Sequence, residues 1–163
     1  MAARNSVVDL ERAPDAIVTM REFDAPRDLV WRAWSDPKHL AHWWGPDGFT
    51  TTTSAFDMRE GGVWRFVMHG PDGRDYDNRI TFDVIEKPAR LVYRHGDDVE
   101  PVQFRTTVTF EELSGNRTRV TLHAVFPSAA ERDRVVRDHG ADKGAMQTLA
   151  RLADYVATLA DEF

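Results

Sequence analysis

The sequence predicts an α+β domain: a curved antiparallel sheet of about seven strands around one long C-terminal helix, with two short helices after the first strand. Three observations predict it. First, strand-like runs keep their apolar residues on one parity: Trp64, Phe66 and Met68; Ile80, Phe82 and Val84; Phe104, Val108 and Phe110; Val120, Leu122, Ala124 and Phe126. The opposite parity carries Arg79, Thr81 and Asp83, then Arg105, Thr107 and Thr109, then Arg119, Thr121 and His123, so one face is apolar and the other wet. Second, Ala145, Leu149, Leu152, Val156 and Leu159 recur at helical spacing and form a single stripe that can cover the apolar face. Third, the order of elements, one strand, two short helices, six strands and a long helix, leaves that last helix as the main cover.

Each element has its own signal. Ala16 to Phe23 partly alternates and reads as the first strand. Pro26 suits a helix start, and Leu29, Val30, Ala33 and Trp34 recur at helical spacing. Pro37 ends that helix, with Ser35 or Asp36 available to cap a second short helix to Trp43. Gly45-Pro46 stops it. Six strands follow, at Phe49 to Phe56, Val63 to His69, Tyr76 to Ile85, Arg90 to His95, Val102 to Glu111 and Arg117 to Phe126, separated by Gly-, Pro- and Asp-rich turns. Ser128 to Glu131, "SAAE", is a capping box for a helix to about Asp138, which Gly140 breaks; the long helix runs from about Ala141 to Leu159. Residues 1–15 read as an N-terminal arm and 16–163 as a single domain. Val7, Val8 and Leu10 in the arm could dock on the chain itself or on a second copy as a homodimer.

The totals limit the function classes. With 163 residues, 42% hydrophobic, one domain can hold a sizeable core. There is no cysteine, which excludes disulfides and thiolate metal sites. A formal charge of -6 argues against nucleic-acid backbones and anionic membranes as partners. No apolar run reaches the ~20 residues of a membrane span, and the N-terminus lacks the apolar core of a secretory signal, so a cytoplasmic protein is the expectation.

Particular words carry a resemblance: "APRDLVWRAWSDPKHLAHWWGP" from Ala25 to Pro46, "FDMREGGVWRFVMHGPDG" from Phe56 to Gly73, "YDNRITFDVIEKPARLVY" from Tyr76 to Tyr93, and "KGAMQTLARLADYVATL" near the C-terminus. Together with the element order, over about residues 16 to 160, they resemble the START-like, helix-grip superfamily (SRPBCC). The nearer branch is named for the C-terminal domain of the activator of heat-shock protein 90 ATPase. The resemblance implies a deep cavity between sheet and long helix. It implies no single function, since members include lipid carriers, cyclases, hormone receptors and co-chaperones. Many members show Gly-Trp early in the last helix; here the match is Gly144-Ala145, followed by Met146.

Catalytic signatures are absent: there is no HExxH pair, GxSxG elbow or Walker loop. The acidic run Asp72, Asp75, Asp77 lacks the register of a calcium loop and reads as a solvated hairpin. His39 and His42, three apart on a short helix, have no evident third zinc ligand. His69, His95 and His139 fall at element ends where a cavity mouth could lie. More informative are the polar residues on inward parity, Tyr76, Asn78 and Thr106, which must bond to protein, buried water or a guest.

The expected function is binding of a small hydrophobic or aromatic molecule, without cofactor or metal. The expected contacts are Trp43, Trp44, Trp64, Phe66, Met68, Tyr76, Asn78, Ile80, Phe104, Thr106, His139 and Met146. Two alternatives stand beside it. One is an enzyme of the cyclase or dehydratase type, using His69, Tyr76, His95 or His139 for proton transfer. The other, ranked last, is a chaperone-ATPase-activator-like interaction module; the full activator uses a separate N-terminal domain, and only about 15 residues precede the first strand here.

Overall fold

A computed structural model describes residues 6–160. Residues 1–5 and 161–163, the ends of the expected arm and domain, lie outside the described residues. Eight strands form one antiparallel sheet: β1 (Val7–Asp9), β2 (Ala16–Phe23), β3 (Thr50–Phe56), β4 (Val63–His69), β5 (Asp75–Glu86), β6 (Arg90–Gly96), β7 (Phe104–Leu113) and β8 (Arg117–Val125). Their spatial order is β1-β2-β8-β7-β6-β5-β4-β3. The four helices are α1 (Arg27–Trp34), α2 (Pro37–Trp43), α3 (Ala129–His139) and α4 (Ala141–Ala160).

The extra strand is the expected arm. Val7, Val8 and Asp9 pair with Met20, Thr19 and Val18, so the arm extends the sheet. A three-residue strand carries too little alternation to announce itself in sequence; the edge of β2 supplies its hydrogen-bond partners. Ser6 fastens it to the last helix, its hydroxyl donating to the Met146 carbonyl at 2.8 Å.

The inward parity holds in β4, β7 and β8, with one correction in β5. Phe82 pairs with Tyr93, but Val84 pairs with Val92 and Ile85 with Leu91, so a bulge at Asp83 shifts the register. Beyond it the faces exchange. Ile85 packs against the core, whereas Val84, expected inward, shares the outer face. There, Asp83 accepts from Arg94 at 3.0 Å.

Caps set the helix boundaries. Asp36 caps α2, accepting from the Lys38 amide at 2.9 Å. Ser128 caps α3, accepting from the Glu131 amide at 3.1 Å. The return half of the expected capping box is taken elsewhere, because the Glu131 carboxylate pairs with Arg134. Gly140, at φ 60°, ends α3 in the left-handed conformation and opens directly into α4.

The concave face is covered unevenly. At one end, α1, α2 and the later turns of α4 close over it in an aromatic core. Trp34 stands edge-on to Trp43 and Phe110, with ring centres 4.8 and 5.6 Å away, while Trp44 meets Trp64 at 4.9 Å. Such edge contacts suit ring quadrupoles. Leu149, Leu152, Val156 and Leu159 of α4 are all buried there. The side-by-side Trp43 and Trp44 are thus both core residues. Trp43 is wholly buried and its Nε1–H donates to the Ala33 carbonyl at 3.0 Å.

The turn after them is held by the far end of the chain. Arg151 Nη1 donates to the Gly45 and Pro46 carbonyls at 2.9 and 3.0 Å, with the Trp44 carbonyl at 3.5 Å. Gly45 adopts φ +102°, and a Cβ there would stand 2.8 Å from Met68 Cε, so glycine suits both the turn and the close approach. Arg151→Met keeps the stem and removes the donors. It is expected to lower stability by about 1.5–3 kcal/mol, the range for hydrogen bonds to a charged group, read as a lower urea midpoint at unchanged slope.

Candidate ligand cavity

At the other end the cover is thin, and a cavity of about 870 Å³ remains between the sheet, α3 and the first turns of α4. That volume lies within the range of small-molecule sites. Its floor is the concave face of β2, β8, β7 and β6, including Ile17, Leu122, Ala124 and Phe104. Trp44, Gly45, Pro46 and Met68 form one wall. Ala145 and Thr148 of α4 lie beside it, where Gly144 stands against Pro46, and the Thr148 hydroxyl is spent on the Gly144 carbonyl at 2.8 Å. α3 contributes Glu131, Arg134, Val135 and His139, yet no α3 residue is buried. It therefore covers the opening without packing firmly into it. Arg134 grips Glu131 with two hydrogen bonds and holds that carboxyl below its ordinary range, mainly through those bonds.

Of the twelve contacts expected from sequence, Trp44, Met68, Phe104, Thr106 and His139 line the cavity. Trp43, Trp64, Phe66 and Ile80 do not: they are buried in the aromatic core, where the Trp44 ring stands against Trp43, Trp64 and Phe66. Met146 lies on another face of α4, its carbonyl bonded to Ser6. Tyr76 is 42% exposed and rests against Phe49, because the start of β5 runs past the helical cover. Asn78 lies just outside the wall but acts on it through His95.

That last contact orders the polar floor. Asn78 Nδ2–H donates to the Tyr76 carbonyl at 3.0 Å, which orients the amide and leaves Oδ1 to accept. His95 Nε2 sits 2.8 Å from this oxygen and must be the protonated nitrogen. Nδ1 is then the ring's acceptor. The ring lines the cavity among Trp44, Phe66, Tyr93 and Phe104. It keeps some accessible surface but is surrounded by protein, and burial lowers it to about 4. Tyr93, two residues earlier, is also buried, and burial pushes its phenol well above the ordinary value. Thr106 faces Tyr93 across the ladder and eases that ionisation slightly. The geometry stops short of a formed bond, however, and Thr106 Oγ1 is buried without a hydrogen-bond partner, as is Thr19 Oγ1 on β2. Sequence reasoning missed Tyr93 and Thr19, although both share the inward parity of their strands.

The buried imidazole has a pH consequence. Unfolded, His95 takes a proton below its ordinary 6.5; folded, it does so only near 4. The unfolded state therefore binds more protons between these values, and stability falls as pH drops through that window, by on the order of 3 kcal/mol in all. Above 6.5 the term is flat. Asp98 and Glu131, whose carboxyls are lowered from 3.8 and 4.5, titrate beneath the upper part of the window. Urea midpoints at pH 7 and 5 are expected to diverge more for the wild type than for His95→Phe.

The other histidines lie elsewhere. His69 Nδ1 donates to Asp75 at 2.7 Å and Nε2 meets Thr52 at 2.9 Å. This has the bonding order of a nucleophile–base–acid relay but stands exposed on the outer face, away from the cavity. His39 Nδ1 meets the Tyr155 hydroxyl at 2.5 Å, and His42 stacks on the same ring. Among the described residues no group of three or more His, Asp or Glu could hold a metal, and no described helix is long and apolar enough to cross a membrane.

A sheet that clasps its terminal helix and keeps a cavity beneath the helix's first turns defines the START-like, helix-grip class of proteins. Within that class the chain belongs to the family described as activator of Hsp90 ATPase homolog 1-like protein, which it matches over residues 24–157. A protein from Arthrobacter aurescens, solved by NMR, is 28% identical with a TM-score of 0.84, covering 93% of this chain and 91% of that one. Protein Ms6760 from Mycobacterium smegmatis is 27% identical with a TM-score of 0.84, covering 94% and 98%. The AHSA1 protein from Silicibacter pomeroyi, 22% identical with a TM-score of 0.69 and coverage of 91% and 99%, shares the fold. No curated protein matches the chain significantly.

Proposed function

We propose that the chain binds a small, largely apolar or aromatic molecule in this cavity. The observation that carries the reading is the cavity of about 870 Å³, walled mainly by apolar side chains with a few buried polar groups on its floor. Trp44 on the wall gives the test. Apolar aromatic compounds are expected to change tryptophan emission saturably, and native mass spectrometry of the purified protein is expected to show bound small molecules. No saturable change with any aromatic compound, together with a bare mass, would remove the reading.

Catalysis has weaker support. A general base works best when its pKa lies near the operating pH. His95, held at about 4, is too weak a base, and the Tyr93 phenol is pushed the wrong way to be a good acid. Binding without turnover is therefore the reading we adopt, in the cytoplasm.

A further inference from the structure

We propose that the cavity selects uncharged aromatic guests bearing a hydroxyl, whose O–H donates to Nδ1 of His95 while the same oxygen accepts from the Tyr93–Thr106 pair. The inference rests on the binding function proposed above and names the class of guest.

The geometry that supports it begins at Asn78. Its amide is oriented by the Tyr76 carbonyl and in turn commits His95 Nε2–H. A neutral imidazole with that nitrogen spent has only an acceptor left, so it asks for a donor. His95 and Tyr93 lie on one face of β6 with ring centres 6.3 Å apart, and one oxygen making two hydrogen bonds of about 2.8 Å can bridge polar atoms on the facing edges of such rings. Tyr93 faces Thr106 directly across the ladder. Thr106 is 3% exposed and its hydroxyl has no hydrogen-bond partner. An unmade bond of this kind is costly in the empty site and is recovered when a guest lets the pair relax onto it. The surrounding wall is aromatic and aliphatic, Trp44, Phe104, Leu122, Ala124 and Phe126, and suits a flat apolar body.

The same floor disfavours a carboxylate. Among the described residues no Lys or Arg belongs to it, and the one arginine lining the cavity, Arg134, is on α3 at the opening and already holds Glu131 with two bonds. An anion on the floor would meet the lone pair of His95 in a desolvated site, without a counter-charge. The charge of the guest and its hydrogen-bond donor are therefore read by different groups from those that read its bulk.

Calorimetric titration at neutral pH with 2-naphthol, 2-methylnaphthalene and 2-naphthoate tests this, since the three share a ring body and differ in one group. Wild type is expected to bind 2-naphthol about tenfold more tightly than 2-methylnaphthalene, one good hydrogen bond's worth, and 2-naphthoate more weakly than either. In His95→Phe and in Thr106→Val the preference for naphthol is expected to shrink while methylnaphthalene affinity is kept. Asn78→Leu, at a position outside the cavity wall, frees the imidazole tautomer and is expected to reduce the same ratio. Long-range proton–nitrogen NMR gives a readout that packing alone would not move: the unprotonated Nδ1 resonance of His95 should shift with naphthol and not with methylnaphthalene. Equal affinities of wild type for naphthol and methylnaphthalene, or a preference that survives His95→Phe, would overturn the inference while leaving the cavity as a binding site. Tighter binding of naphthoate would overturn it in favour of Arg134 as the recognising group. Failure of all three compounds to bind would remove the binding function itself, and this inference with it.

Discussion

Trp43→Ala is expected to destabilise the fold by about 3–5 kcal/mol, the range for removing a buried Trp or Phe from a core. Several features place it at the upper end. The side chain is fully buried. Its ring is edge-on to Trp34 and Trp44, at 4.8 and 5.6 Å, so neighbours on both sides lose a face. Its Nε1–H is the partner of the Ala33 carbonyl, and deleting it leaves that acceptor to find water inside the core. Collapse cannot repair the gap, because α1 and α2 are fixed by the same cluster and α2 is only seven residues long. Against a total stability of ~5–15 kcal/mol, such a loss would leave much of the chain unfolded or aggregated at 37 °C. Thermal unfolding followed by circular dichroism measures it. A loss under about 1 kcal/mol would show that the cluster repacks freely.

Ala145→Trp is expected to do the opposite: to keep the fold and abolish guest binding. Enlarging a residue in a packed core costs about 1–3 kcal/mol, but Ala145 lines empty space on the first turns of α4. A tryptophan there replaces void with contact, so stability should stay within ~1 kcal/mol of wild type or rise. The ring would stand over the same floor as the proposed guest, and affinity for any cavity ligand should fall at least tenfold, or by more than ~1.4 kcal/mol. Calorimetry with a naphthyl probe, paired with a urea titration to show the fold is intact, gives both numbers. Unchanged affinity in a folded variant would mean that guests bind somewhere else.

The two variants differ because the covering of the sheet is uneven, and the sequence shows part of that. The stripe Leu149, Leu152, Val156 and Leu159 is uniformly large, and all four are buried. The stripe's first member is only an alanine, and that is where the helix stands off. The strands were legible because the wet face punishes an apolar residue and the dry face a charged one, so period-two alternation survives in each. Val84 was misplaced because a bulge at Asp83 changes parity without changing composition. The N-terminal strand was missed because three residues carry no measurable period.

The site was less legible than the fold. Inward parity identified Thr106 and Phe104 but could not separate a wall of the cavity from the packed core. Trp64, Phe66 and Ile80 share that parity and are sealed in the aromatic core. Tyr76 shares it too and stands at the rim, exposed. Arg151 gave no signal, since one arginine on a helix reads as a solvated charge until the turn that it holds is brought beside it.

By itself the sequence determined the class of fold, the strand faces, the short helices with their caps and the helix that closes the sheet, because each rests on local periodicity or on residues within a few positions of one another. The tertiary structure alone decided where the void lies, which nitrogen of His95 carries the proton, and which hydroxyls go without partners. Those depend on distances between groups far apart in the chain, and on how far α3 and the start of α4 stand from the sheet, which no pattern of neighbouring residues encodes.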